Sequence, residues 1–371
     1  MDKIKNVLFC IWLAQSFPYG SVKPKQIALA FDGALEKFYN NLDEEVKKFN
    51  LTNKRIKKLK SKKPSDFIKI VQLCKKLKIK IVCFFDENYP ARLKLIDSSP
   101  VVLYYVGNLE AAKKPSVAIV GTRKASFYGV TTANKLARRL AAHNVAVVSG
   151  CATGIDSSAH KGSIEAAGIT ISVLGTSIEQ PYPHGSSNLK RQIAKLGGLI
   201  ISEYAPATQV FPWLFPIRNR LIVGLSDSVI VVESPKKSGA VITANIACDY
   251  GKEVFCVPPS NIFSSNNDGI KKLLKEGANL LLDVDDILEA YKFSENGVIP
   301  KQTCIENFLP QKENVGIPDR LCNLFDLIDS NFDLDFASET LNIPINHILE
   351  MMTELEIMGK VKKIGSCYKK I

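Results

Sequence analysis

The amino-acid sequence predicts an α/β protein: a doubly wound, mostly parallel sheet over residues 79–292, with a small helical domain before it (1–78) and a linker (293–315) and winged helix (316–371) after it. Three observations lead there. Apolar runs of strand length alternate with amphipathic stretches through the middle of the chain, glycine-containing polar motifs follow directly behind the first of those runs, and the two flanks differ from the middle in charge and periodicity.

Residues 1–78 place apolar side chains at helical spacing and cluster their lysines, as in NKRIKKLKSKK at 53–63, which suits short helices in a SAM or helix-hairpin-helix-like arrangement. The turn FPYGSVKPK at 17–25 joins two of them and sits where such a turn would hold a backbone phosphate, although with one glycine it reads better as part of a solvated basic face. Lys3 and Lys5 ahead of the run Val7 to Ala14 imitate a secretory signal, but that run is short and the chain behind it rich in cysteine, so a cytoplasmic protein is expected.

In the middle, VAIV (117–120), VAVVS (145–149), TISVL (170–174), LIIS (199–202), VIVVE (229–233), EVFCV (253–257) and NLLL (279–282) read as strands buried on both faces, as a helix-covered parallel sheet requires. Beyond it, residues 293–315 lose periodicity. Then 319–330, 336–341 and 346–358 read as helices leading into the hairpin GKVKKIGSCYKKI, the order of a winged helix.

The formal net charge of +12 lies in one place. Residues 1–80 hold 19 Lys and Arg against 7 Asp and Glu, whereas 291–371 hold 9 against 12. The acid excess makes the winged helix a protein-contact module by expectation rather than a DNA reader, with lysines 360, 362, 363, 369 and 370 on its wing as the counter-signal. Nine cysteines, an odd number with no CxxC pair, favour neither a zinc site nor a disulfide framework and fit a reducing compartment. No run approaches the ~18 apolar residues of a membrane span.

The most informative stretch is FPWLFPIRNRLIVGLSDSVIVVES at 211–234. Arg218, Asn219 and Arg220 offer guanidinium forks and an amide suited to phosphate oxygens, while Trp213 and Phe215 offer faces on which a base can stack. The bland alternative pairs the two arginines with Glu203 or Glu233 and buries the aromatics in the core. Parallel sheets bind ligands at the carboxyl ends of their strands. GTR (121–123), SGCATGID (149–156), GTSIEQPYP (175–183) and Glu203 all fall there. Gly121 and Gly150, with Thr122 and Ser149 beside them, open helices where backbone amides can approach an anion, and Arg123 adds a charge over the same edge. Neither site spells GxGxxG and no Walker A lysine signature occurs, so no NAD, ATP or other cofactor is expected. Asp156 and His160, at i and i+4, share a helix face on which they could act as acid and base or hold a metal. With no third ligand or nucleophile in the pattern, helix capping and a local hydrogen bond are the simpler roles.

Taken in order, VAIVGTRKASFYG (117–129), SGCATGIDSSAH (149–160), VLGTSIEQPYP (173–183), SEY (202–204), FPIRNRLIVGLSDSVIVVES (215–234) and SGAVITANIA (238–247) resemble the DNA-processing protein A family (DprA, also called Smf). The resemblance implies a Rossmann-like domain that binds and protects single-stranded DNA, helps load RecA recombinase during natural transformation, forms a homodimer and is not an enzyme. By motif it carries Arg123, Phe215 and Arg218, Asn219 and Arg220 into the DNA pocket, with Gly121 and Gly150 permitting close backbone approach. Departures from the family pattern include Ser177 and Glu179 in place of a glycine and an aspartate, Thr153 for a larger residue and Pro259 for a glycine. Two rivals compete: a nucleotide-processing enzyme on the same sheet, which lacks its PGGxGT motif here, and a winged-helix transcription regulator, which the acidic tail disfavours.

Overall fold

The computed structural model describes residues 2–291 and, beyond them, 321, 324, 325, 328, 337, 341, 343–358, 360–364 and 367–370. The chain divides into two compact units, Met1–Pro300 and Lys301–Ile371. The first begins with the helices Asp2–Ser16 (α1), Lys23–Ala30 (α2), Leu35–Asn40 (α3), Leu42–Lys48 (α4), Asn53–Lys60 (α5) and Ile68–Lys76 (α6). The run at 7–14 lies in α1, where Ile11, Trp12 and Leu13 are fully buried and the Trp12 indole donates to the Leu59 carbonyl at 3.2 Å.

A nine-stranded sheet follows. Its strands are Lys80–Cys83 (β1), Val102–Gly107 (β2), Ser116–Val120 (β3), Ala146–Ser149 (β4), Thr170–Val173 (β5), Leu199–Ser202 (β6), Ser228–Val231 (β7), Val254–Cys256 (β8) and Asn279–Leu280 (β9). They lie in the order β1-β2-β6-β5-β4-β3-β7-β8-β9. Every pair from β6 to β9 is parallel; β2 joins β6, and β1 joins β2, antiparallel. Between the strands run Ala91–Leu95 (α7), Phe127–Ala142 (α8), Ile155–Glu165 (α9), Ser186–Lys195 (α10), Leu214–Leu225 (α11), Gly239–Asp249 (α12), Asp268–Lys275 (α13) and Asp285–Tyr291 (α14).

Alternate residues of the strands serve opposite layers, as a period of two demands. Val117, Ile119 and Val147 pack with Ala133 and Leu140 of α8 and Ile155 of α9, whereas Ala118, Val120 and Val148 join a core with Leu221 of α11 and Ala244 of α12. That second core runs on without a break through Leu103 and Tyr104 of β2 to Trp12 and Phe38, so the helical segment expected as a separate domain over 1–78 shares one hydrophobic core with the sheet. The strands β1 and β2, which the sequence reading left unassigned, form the bridge between them.

In the second unit, Ile345–Ile357 (α15) precedes the antiparallel hairpin Val361–Ile364 (β10) and Cys367–Lys370 (β11). Ile348, Met352 and Leu355 of α15 meet Leu321, Leu324 and Val361 in a small core of their own. The helix and hairpin fall where the winged-helix reading puts them; its two earlier helices and the linker at 293–315 lie largely or wholly outside the described residues.

Candidate nucleic-acid interface

Strand order places the site. From β3 the chain steps outward through β4, β5 and β6, then returns to lay β7 against the other side of β3 and continues to β8. Loops leaving β3 and β7 therefore diverge, and a crevice opens at their carboxyl ends, the topological switch point. It is a cleft of about 400 Å³. Gly121, Thr122 and Arg123 line one side, Lys237, Ser238 and Gly239 another, and Pro212, Phe215, Arg218 and Asn219, at the start of α11, the third.

The rim is cationic and aromatic. Arg123 is exposed, its guanidinium 5.1 Å from the Phe215 ring centroid and its Nη1 3.4 Å from the Tyr182 hydroxyl. Tyr182 tilts against Phe215 at 5.0 Å. Space for the Phe215 ring comes from Gly175, where an added Cβ would stand 2.5 Å from Cδ1 of that ring. Across the cleft, Lys237 is exposed, and Ser238 caps α12 by accepting from the Val241 amide at 3.3 Å, so the positive end of α12 faces the same space. Lys237 and Tyr182 were not among the residues singled out from sequence. Their signal was present in SPKKSGA, two lysines and a cap before a helix, and in a tyrosine following the third strand-end motif.

The floor is committed to the fold. Arg218, 4% exposed, donates through Nη1 to the carbonyls of Gly150 (2.9 Å) and Val173. Asp156 accepts from the amides of Gly150 (3.2 Å) and Ala152 (3.3 Å). Burial raises the pKa of Asp156 while the Arg218 charge opposes that shift. Asn219 donates to the Gly239 carbonyl at 3.2 Å, tying α11 to the first residue of α12.

Of the nine residues proposed from sequence, the cleft gathers Gly121, Thr122, Arg123, Phe215, Arg218 and Asn219. The other three sit elsewhere, each for a physical reason. Ser149 is buried and donates to the Ile119 carbonyl at 2.7 Å. The Gly150 amide is taken by Asp156, and a Cβ there would meet Arg218 Nη2 at 2.5 Å, so this glycine makes room for an internal guanidinium rather than for an incoming anion. Arg220 points away from the cleft into a two-point ion pair with Glu203, Nη1 to Oε2 at 2.6 Å and Nη2 to Oε1 at 3.1 Å. For that arginine the bland alternative describes the geometry. Glu233 instead accepts from the Ser126 amide at 2.9 Å, at the start of α8.

Asp156 and His160 form no acid–base pair. His160 is fully buried, with Nδ1 2.7 Å from the Thr170 hydroxyl, which itself donates to the Val147 carbonyl. The hydroxyl's proton is thus used, so Nδ1 carries the ring proton. Burial, aided by the Arg218 charge, pushes the His160 pKa down to about 3. The ring is neutral and internal.

Residues 80–292, more than half of the chain, match the model of the DNA recombination-mediator protein A family. The chain belongs to that family. It is 39% identical over 208 residues to DNA processing protein DprA of Streptococcus pneumoniae, covering 56% of this chain and 73% of that one. It is 31% identical over 284 residues to protein Smf of Escherichia coli, covering 76% and 75%. The S. pneumoniae DprA crystal structure superposes with a TM-score of 0.64 at 30% identity, over 77% of this chain and 99% of that one. DNA processing protein A from Helicobacter pylori, whose structure is described as showing a unique single-stranded DNA binding mode, superposes with a TM-score of 0.50 at 31% identity over 57% and 94%.

Two residues of the loop after β5, Ser177 and Glu179, act together. Glu179 accepts through Oε1 from the Ser177 hydroxyl at 2.9 Å and from the Ala207 amide at 2.6 Å. Glu179 thereby ties the loop after β5 to the loop after β6, which leads into α11. Among the described residues no helix is long and apolar enough to cross a membrane, and no group of three or more His, Cys, Asp or Glu could hold a metal ion.

Proposed function

We propose that this chain binds single-stranded DNA in the switch-point cleft and serves, in the cytoplasm, as a recombination mediator that protects incoming strands during natural transformation and helps load RecA recombinase. The observation that carries this reading is the Arg123–Phe215–Tyr182 group at the cleft mouth: an exposed guanidinium over a ring that is itself set beside a second ring. Such a group takes a phosphate and an unpaired base together, with little regard for sequence. Lys237 and the amide end of α12 supply the opposite bank for the backbone. Family membership and the single-stranded DNA binding mode described for the H. pylori relative support the same ligand. Handover to RecA, and action as a homodimer, follow from the family role rather than from any group in the cleft.

A non-enzymatic role suits the interior of the site. Asp156 lines the cleft but is held by two amides on Oδ2, and His160 is buried against Thr170, so the two do not form an acid–base pair. Electrophoretic mobility shift with single strands, blunt duplex and free nucleotides at one ionic strength tests the reading. The single strand should bind, with affinity falling as salt rises. Preferential binding of a free nucleotide would favour the nucleotide-processing alternative.

A further inference from the structure

Phe211 and Trp213 flank Pro212, which lines the cleft, yet neither ring is spent on the core. They stack nearly parallel, 16° apart with centroids at 5.8 Å, and leave 37% of Phe211 and 52% of Trp213 exposed. The chain's other tryptophan, Trp12, is fully enclosed. The turn bearing the pair is fixed: the Leu214 amide donates to the Phe211 carbonyl at 3.1 Å, the Tyr204 hydroxyl to the Leu214 carbonyl at 3.0 Å, and Glu179 anchors the preceding stretch at Ala207. Two residues further on, Phe215 lies beneath Arg123, so both aromatic groups belong to one wall.

Large aromatic faces held rigid and open to water, continuous with a cationic rim, match a ligand that alternates flat apolar bases with anionic phosphates. We propose that Phe211 and Trp213 form a second base-stacking station, receiving a nucleotide that lies outside the cleft on the strand held by Arg123 and Phe215. This rests on the single-strand reading above. It makes the site longer than the cleft and assigns Trp213 a contact with the base itself.

Trp213 reports its own test, because Trp12 is sealed in the core. The full-length protein is titrated with oligothymidylates of about 15 and about 4 nucleotides, following tryptophan emission and, in parallel, the anisotropy of an end-labelled oligomer. The longer oligomer should quench the emission. Trp213→Ala should weaken its binding by about 5- to 100-fold and abolish the quenching, with about unchanged affinity for the tetramer. Trp213→Phe should restore affinity without the emission signal. Binding of the longer oligomer with no change in emission, and with Trp213→Ala equal to wild type, would overturn the station while leaving the cleft intact; that is also the result expected if the rings dock a protein. If no oligomer binds by anisotropy, the single-strand reading falls and this inference with it.

Discussion

Arg220 and Glu203 are joined by two hydrogen bonds with less than a tenth of either side chain exposed, and Arg220 Nε adds a third bond at 3.0 Å to the Ser98 hydroxyl. The turn Tyr19–Gly20–Ser21 roofs the pair, leaving a small cavity between them. One ion pair thus joins the residue after β6 to the middle of α11, beneath the turn between α1 and α2. Removing one partner strands the other charge in the interior. Arg220→Ala is therefore expected to lower stability by about 3–5 kcal/mol. Urea unfolding measures this, and a change below about 1 kcal/mol would show the pair to be solvated.

Arg123 should behave in the opposite way. It is exposed and its contacts are a ring and a distant hydroxyl, so Arg123→Ala is expected to leave the melting temperature unchanged while weakening single-strand binding by about 1.5–3 kcal/mol. The slope of log affinity against log salt should fall in magnitude by about 0.7, one phosphate's worth for a single strand. Fluorescence anisotropy over a salt series checks both.

Gly175 connects packing to binding. A Cβ added there would press on the Phe215 ring at 2.5 Å, and the ring can yield only by leaving its place between Arg123 and Tyr182. Gly175→Ala should therefore weaken single-strand binding nearly as much as Phe215→Ala, by about 1–3 kcal/mol, at a small cost in stability. Parallel binding and unfolding curves for the two variants decide it. Wild-type affinity in Gly175→Ala would show that the position of the ring does not matter.

His160 gives the fold an acid-sensitive point. Its folded pKa of about 3 lies below the unfolded value of 6.5, so between those values the unfolded state binds more protons and stability rises with pH. The contribution is complete above pH 6.5 and is lost as pH falls toward 3, at up to about 1.4 kcal/mol per pH unit. Asp156, whose pKa is raised by burial, contributes with the opposite sign, so the histidine effect is read as the difference between wild type and His160→Gln in urea titrations from pH 7 to 4. Parallel pH profiles for the two proteins would contradict it.

Strands β3 to β8 were legible because a parallel strand buried on both faces is a continuous apolar run, as VAIV and LIIS are. The antiparallel β2 was also written, in VVLYYVGN between Pro100 and Asn108, but β-branched and aromatic composition was not enough to mark its place in the sheet without its partners. For the site, the strand ends told where the cleft would be and which loops would line it. They could not tell Arg218 from Arg220. The two are separated by one residue, and only the approach of Glu203, 17 residues earlier and brought in by β6, assigns one to the cleft floor and the other to an ion pair. Gly150 teaches the same lesson: its strand-end position suggested an open amide, and Asp156, in the first turn of the next helix, had already taken it.

Amide hydrogen exchange with and without a single strand tests the central claim most directly, because it reads where on the chain the ligand lies. Added protection at 121–123, 212–219 and 235–239, the three banks of the cleft, is the expected result. Protection confined to the lysine-rich helix at 53–60 or to the hairpin at 361–370, with the cleft segments unchanged, would contradict it.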